Sequence, residues 1–424
     1  FAGDPTFVDC ADDLDFYSGD CRDLVICVKK GTTYDVKLQQ IFAGPVKKYT
    51  ESHTESFASL ESGECNVVAD ASVAVSQTNA RSFGYTGPYK VGKKLFSKEM
   101  FCLNTRDDDN GWSNLVNLVM NALFTAESMG VTQASVASPE SALRQFELPD
   151  SFTSVVEAVV GSVGNFKEVF SRHLGGYVIE REGLNQLNNL DADTGLMISH
   201  PFGDLETEGS IEDNSVLDII VRRGFVRCGV TRKAGFAEKV VDRWEGFDVE
   251  FCRALAAALF SDNAEYRTQM VEIRDASERF STLANDTVEV LAGERVNLLH
   301  SWREPHTFAA YTFSVPTFYS STGGSNNAYA FVTKQGDSQW SDFVYWVITC
   351  TIYAEEKGIS HDSFVDMPLV HLFGESLKQM FVDTIYEVGN YGDIYNRTLA
   401  KTIPRGGGNL LNTGGAQQFA FPLV

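Results

Sequence analysis

The sequence predicts an α/β fold laid down as an incomplete tandem repeat. Three observations predict it. First, the passage "WSNLVNLVMNALFTAESMGVT" at 112–132 returns at 340–360 as "WSDFVYWVITCTIYAEEKGIS". Second, ahead of the second copy, residues 217–319 alternate helix-like and strand-like stretches, the rhythm of a parallel sheet with helices on its faces. Third, the 424 residues are 43% apolar and 12% aromatic, enough for two or three domains with sizeable cores.

The repeat is long. Sliding the chain on itself by 228 residues aligns Trp112 with Trp340, Ala126 with Ala354, Glu127 with Glu355 and Gly130 with Gly358. Further on, "VGNFKEVFSRHL" (163–174) matches "VGNYGDIYNRTL" (388–399), and Asn185 matches Asn409. Residues near 98–200 therefore recur near 327–424, and long similarity at a near-fixed spacing marks duplicated modules. The repeated block is helical. Phe343, Val347, Cys350 and Ala354 recur at spacings of three and four, one face of a helix. Gly130 and Gly358 then fall where a helix ends on a left-handed residue. A helix with one apolar face needs a layer to cover it.

What precedes the two copies differs. Before the second come a short amphipathic helix ("LDIIVRRGF"), a buried strand at 225–230, a loop, and a helix with Cys252, Leu255, Ala256 and Leu259 on one face. The segments "RFSTLANDTVEVLAG" and "FSVPTFY" continue the alternation.

The net charge of −22 argues against nucleic acid or an anionic membrane surface as partner, since both require clustered Lys and Arg. No apolar run reaches the roughly 18–20 residues of a membrane span. The chain starts at Phe1 without Met, which predicts a removed leader or propeptide, or a late start. Eight cysteines form no CxxC or Cys/His cluster, so no metal is expected, and the even count fits an oxidising compartment. The acids of "DCADDLDFYSGDC" do not have EF-hand spacing. Cys10 and Cys21 are candidates for a bridge within that acidic segment. Asn285 and Asn396 open Asn-x-Thr sequons, acceptors for N-glycosylation in a eukaryotic secretory route. A secreted, extracellular or periplasmic location is expected.

The stretch "GF…RWEGFDVEFCRALAAALF", together with "RFSTL", "FSVPTFY", "QGDSQWSDFVYWVITCTIYAEEKGI" and "VGNYGDIYNRTLA…RGGGNLLNTGGAQQFAFP", resembles in order the bacterial extracellular solute-binding proteins of family 3, of the periplasmic general L-amino-acid-binding type. Before the first copy, "VICVKKGTTYDVKL…SFASLESGECNVVADAS" resembles the second lobe of that family. The resemblance implies type II periplasmic-binding lobes, each an α/β/α sandwich, hinged around an amino acid. Mapped onto the chain it gives an acidic Cys-containing segment (1–21), a lobe-two-like domain (22–97), the returning helical part of lobe one (98–200), an acidic linker (201–213) and a lobe-one-like domain (214–424). The first unit lacks the opening of its lobe one. The second lacks lobe two, replaced by the short "SSTGGSNN".

The resemblance also implies disulfides Cys27–Cys65 and Cys228–Cys252, with Cys102 and Cys350 left as buried thiols. A zwitterionic amino acid needs a guanidinium for its carboxylate and an acid for its ammonium. The implied ligand-binding residues are Phe236 as an aromatic wall, Thr32 and Thr33 in the "GTT" turn, Asp70 as the ammonium acid, and Arg303. Arg303 lies several residues ahead of its place in the family, where Thr307 falls, with His306 beside it. Thr32 and Asp70 belong to the first unit and Phe236 to the second, so a working cleft of the family's kind requires lobes from both.

No GxSxG, HExxH, Walker A or paired-Cys motif is present, so binding rather than catalysis is expected, with no cofactor. The partner expected is an amino acid or similar zwitterion. Because the incomplete lobes leave apolar faces uncovered, the alternative is a structural scaffold, through self-association or another extracellular protein.

Overall fold

The computed structural model describes residues 1–13, 19–32, 34–35, 38–39, 46–93, 103–106, 109–138, 150–175, 181, 211–261, 263–295, 311–313, 319–320 and 328–406. The chain divides into two compact units, the first built on residues 1–101 with 169–181 and 201–204, the second on 102–168, 182–200 and 205–424.

The first unit contains β1 (Ala2–Gly3), α1 (Pro5–Asp13), β2 (Val25–Lys29), β3 (Val46–Thr50), α2 (His53–Glu61), β4 (Val67–Ala69), α3 (Gln77–Ser82) and β5 (Lys90–Val91). Its five-stranded sheet has the order β3-β2-β4-β1-β5. Strand β2 runs parallel to β3 and β4, and β1 runs antiparallel to β4 and β5. Alternation of side chains along the strands makes three layers. Ile26, Val28, Val67 and Ala69 point into a core shared with Val8 and Ala11 of α1. Cys27 and Val68 point the other way, onto Phe57 and Leu60 of α2 and Ala80 of α3. Ser52 and Ser76 cap α2 and α3, each accepting a backbone N–H three residues on.

Residues 1–21, set apart in the sequence as an acidic segment, begin inside this sheet. Phe1, Val8, Cys10 and Ala11 are buried between acids that face water. Asp9, Asp12 and Asp13 hide an amphipathic helix from a reading by composition.

The second unit contains α4 (Asn110–Ser128), α5 (Asp150–Val163) and the start of α6 (Phe166–His173), which crosses the division. These are followed by α7 (Val216–Arg223), β6 (Val226–Val230), a hairpin of β7 (Glu238–Val240) and β8 (Arg243–Glu245), α8 (Phe247–Phe260), β9 (Thr268–Glu272), α9 (Arg279–Ala284), β10 (Val290–Arg295), β11 (Tyr311–Phe313), β12 (Tyr319–Ser320), β13 (Ala328–Lys334), α10 (Ser338–Glu356), α11 (Met380–Val388) and α12 (Tyr391–Arg397). Its sheet has the order β11-β13-β10-β6-β9, with β12 on β13. The β6 strand is parallel to β9 and β10; β13 is antiparallel to β10 and β11.

Helix α8 is buried nearly all round: most of "FDVEFCRALAAALF" is apolar, and Asp248 and Glu250 are buried with it. Helix α10 buries Trp340, Phe343, Val347, Cys350 and Ala354, the face expected from their spacing. The Trp340 indole Nε1–H donates to the carbonyl of Glu289 just before β10 (2.9 Å). Asp337 caps α10, accepting the Trp340 N–H at 2.7 Å with one oxygen and the Val216 N–H of α7 with the other.

The two copies of the helical block share several internal bonds. Asn165 Nδ2 donates to Val131 O at 2.7 Å, and Asn390 Nδ2 to Ile359 O at 2.7 Å. Asn165 accepts from the N–H of Glu168 and Asn390 from that of Asp393. Thr105 pairs with Ser113 as Thr333 does with Ser341. Asp109 caps α4 through Trp112 N–H as Asp337 caps α10. Gly130 and Gly358 both take left-handed φ, +67° and +69°.

Three disulfides staple these layers. Cys27–Cys65 ties β2 to the approach to β4 (Cα–Cα 5.7 Å), Cys228–Cys252 ties β6 to α8 (6.3 Å), and Cys10–Cys21 closes the end of α1 (5.6 Å). Cys350 is a buried thiol that donates to Val347 O, and burial pushes its pKa up. Cys102 lies outside the described residues.

Candidate functional site

In an open α/β sheet the loops after the parallel strands are where a ligand is held. After β6 the chain turns tightly, with reciprocal backbone bonds between Lys233 and Ala237 (3.0 and 2.9 Å). The turn places Phe236 in the core, its ring 2% exposed. Two bonds then lock this turn to the start of α8: Phe247 N to Gly235 O and Asp248 N to Phe236 O, each 2.9 Å. Gly246 permits that approach. Its φ is +131°, and a Cβ there would meet Phe236 O at 2.3 Å. This packing is the physical content of the "AGFAE…WEGFD" pattern.

The Phe236 ring meets Tyr319 edge-on at 4.9 Å and lies 5.9 Å from Tyr329. The Lys233 ammonium sits 4.0 Å from the ring centroids of both Phe236 and Tyr329, a cation held on two π faces. Phe236, expected as an aromatic wall against a ligand, is buried beneath Lys233 with its ring edge-on to Phe247.

Two acids complete the cluster. Asp248, on the first turn of α8, is buried, and among the described residues its Oδ1 has no hydrogen-bond partner. Burial raises its pKa to about 7, with Lys233 pulling it down and Glu294 pushing it further up. Gly293, at φ +66°, makes room for it: a Cβ there would lie 2.2 Å from Asp248 Oδ2. The same bulge in β10 turns Glu294 inward, where Arg279 pairs with it at 2.8 Å. Burial also raises Glu294, opposed by Arg279 and then Lys233. Two cations, two buried carboxyls and three aromatic rings thus stand at one sheet end. Such a set can grip a small molecule bearing both an amine and an acid.

In the first unit, Thr32 and Asp70 follow the neighbouring parallel strands β2 and β4 and so share one sheet end. Gly31 takes φ +72°, and its N–H donates to Asp35 Oδ2 at 3.4 Å. The Thr32 hydroxyl donates to Lys29 O at 2.7 Å and accepts from Asp35 N at 3.4 Å, so it is engaged in its own turn. Asp70 accepts the Ala71 N–H (2.7 Å) and pairs with His53 Nδ1 (3.0 Å). Phe236 stands in the second unit. Thr33, Arg303, His306 and Thr307 lie outside the described residues. Asn285 and Asn396 are exposed, at the end of α9 and on α12.

Sequence reasoning passed over Lys233, Asp248, Arg279 and Glu294. Asp248 was legible: it lies four residues before Cys252, on the same apolar helix face as Leu255 and Ala256. A lone acid on a buried face marks a functional position more often than a solvated one.

No family model matches the chain. Over 121 residues (28% of this chain, 33% of the relative) it is 31% identical to the general L-amino acid-binding periplasmic protein AapJ of Rhizobium johnstonii. It is 22% identical over 317 residues to the putative amino-acid ABC transporter-binding protein YhdW of Escherichia coli, covering 48% of this chain and 91% of the relative. A solved periplasmic binding protein from Brucella ovis with glutathione bound matches 49% of the chain at 20% identity, with a TM-score of 0.39. The chain thus spans about a third of AapJ and nearly all of YhdW.

The class shown is that of mixed α/β sheets flanked by helices. More narrowly, over the matched stretches the chain is similar to bacterial amino-acid-binding proteins. AapJ is named as a periplasmic binding protein and YhdW as a putative ABC transporter-binding protein, and no described helix is long and apolar enough to cross a membrane.

Proposed function

We propose that the second unit binds a small zwitterion, an amino acid or close analogue, at the carboxyl end of its sheet. The observation that carries this reading is the buried Asp248, with an oxygen unpartnered among the described residues, within electrostatic reach of the Lys233 ammonium. Asp248 and Glu294 would take the ligand's ammonium, and Lys233 with Arg279 its carboxylate. Thr32 and Asp70, with Thr33, are proposed as contacts of the lobe-two-like domain. The boundaries 22–97, 98–200 and 214–424 are proposed as the module limits. Titration calorimetry against the twenty amino acids tests the reading. Binding that is lost in Asp248→Asn and Lys233→Met supports it; no heat with any of the twenty sinks it.

A second reading is favoured by one observation: Trp112 is 55% exposed. In it the chain is an extracellular scaffold whose incomplete lobe is completed by another polypeptide. Sequons at the exposed Asn285 and Asn396 suit a secreted glycoprotein. Sedimentation and partner capture in the presence of the twenty amino acids separate the two roles, since the scaffold should assemble without them.

A further inference from the structure

The duplicated helical block contains its own control, because one copy shows what covers the face that the other leaves open. In the second copy, Phe331, Trp340 and Phe343 are each 1% exposed or less. Their cover is the opening segment of lobe one. Helix α7 offers its Val216 N–H to Asp337, and the carbonyl before β10 accepts the Trp340 indole. In the first copy the equivalent residues are Leu103, Trp112 and Leu115, at 65%, 55% and 36% exposure. The local scaffold beneath them is unchanged, down to the Asp109 cap and the Thr105–Ser113 pair. Asp109 accepts the Trp112 N–H with one oxygen. Among the described residues its other oxygen has no donor, where the second oxygen of Asp337 has Val216.

We infer that Leu103, Asp109, Trp112 and Leu115 form a docking face for the opening segment of another module of this type. That occupant is a capped amphipathic helix leading into a buried parallel strand. This rests on the second reading above and names its partner. The complementarity is specific. A helix N-terminus carries partial positive charge and free N–H groups, which suit the spare Asp109 oxygen. A strand-end carbonyl suits the Trp112 indole, a donor with no acceptor capacity. A second copy of this chain is the poorer occupant. Its own segment 211–295 already covers α10, and lending it would bare Trp340 and Phe343 in exchange. One contact of the second copy has no counterpart: Gln339, which accepts from Glu212 N and Ser215 Oγ, is replaced by Gly111. The occupant's chain ahead of its helix is therefore held less tightly.

The test joins a further copy of residues 211–320, with a flexible linker, ahead of Phe1 of the intact chain. Hydrogen exchange of α4 amides and iodide quenching of Trp112 are read in both proteins, with Trp112→Phe to assign the signal. Docking should slow α4 exchange at least tenfold and shield Trp112. Trp112→Lys should leave the melting temperature of the unextended chain unchanged and abolish the protection in the extended one. Three results overturn the inference. One is Trp112 already shielded in the dilute monomer. Another is Trp112 shielded only as concentration rises, which keeps a scaffold role but makes a second copy the occupant. The last is an extended chain whose added segment folds, shown by its own protected amides, while α4 stays as exposed as before.

Discussion

Trp112 and Trp340 hold equivalent places in the two copies, yet the first is 55% exposed and the second 1%. Among the described residues, the Trp340 indole has an acceptor, the Glu289 carbonyl, and that of Trp112 has none. Trp340→Ala should therefore cost about 3–5 kcal/mol of stability. Trp112→Ala should cost within about 0.5 kcal/mol, as for an exposed side chain. Urea denaturation of both variants checks the contrast; equal losses would mean that Trp112 is packed in solution.

Asp248 makes stability depend on pH. Burial raises its folded-state pKa to about 7, above its unfolded value near 4. The native state thus holds a proton that the unfolded state gives up, so stability falls as pH rises from about 4 to about 7. The Asp248→Asn variant, which carries no titrating group, should lose this slope. The expected difference between the two curves is on the order of a few kcal/mol at most. Parallel curves from pH 4 to 8 would show that Lys233 keeps Asp248 ionised throughout.

Gly246→Ala should destabilise by more than about 2 kcal/mol. The new Cβ would meet Phe236 O at 2.3 Å, and the φ of +131° is barred to alanine. The melting temperature reads this directly. Because Gly246 fixes the turn under Lys233, any solute affinity should fall in parallel.

Replacing Cys228 and Cys252 by serine opens the staple between β6 and α8. A loop of 24 residues predicts a loss of about 2–4 kcal/mol. Thermal unfolding in oxidising buffer should show this fall, and reduction should lower the parent further than the variant, which keeps only Cys10–Cys21 and Cys27–Cys65 to lose.

Much of the architecture was legible from residues. The heptad-like run Phe343, Val347, Cys350 and Ala354 gave the buried face of α10, and Gly358 its end. The Cys228–Cys252 pair was implied by the resemblance alone, and in the structure it joins β6 to α8. The β1 strand was missed because two residues, Ala2–Gly3, carry no alternation to read. The charged cluster was missed for a different reason. Lys233, Arg279 and Glu294 come from three separate elements and meet only through tertiary folding, and the inward turn of Glu294 depends on a bulge at Gly293. Phe236 was singled out by resemblance, but its packing against Tyr319 and Tyr329 joins distant elements and is not legible in the sequence.

Strands β12 and β13 pair directly, with Tyr319 opposite Tyr329. Seven residues, 321–327, join them in the sequence, so the two ends of that connection leave the sheet side by side. The same seam is a natural socket for protein engineers: a foreign domain with adjacent termini, spliced in at this hairpin, would sit beside the Lys233 cluster and report on what enters it.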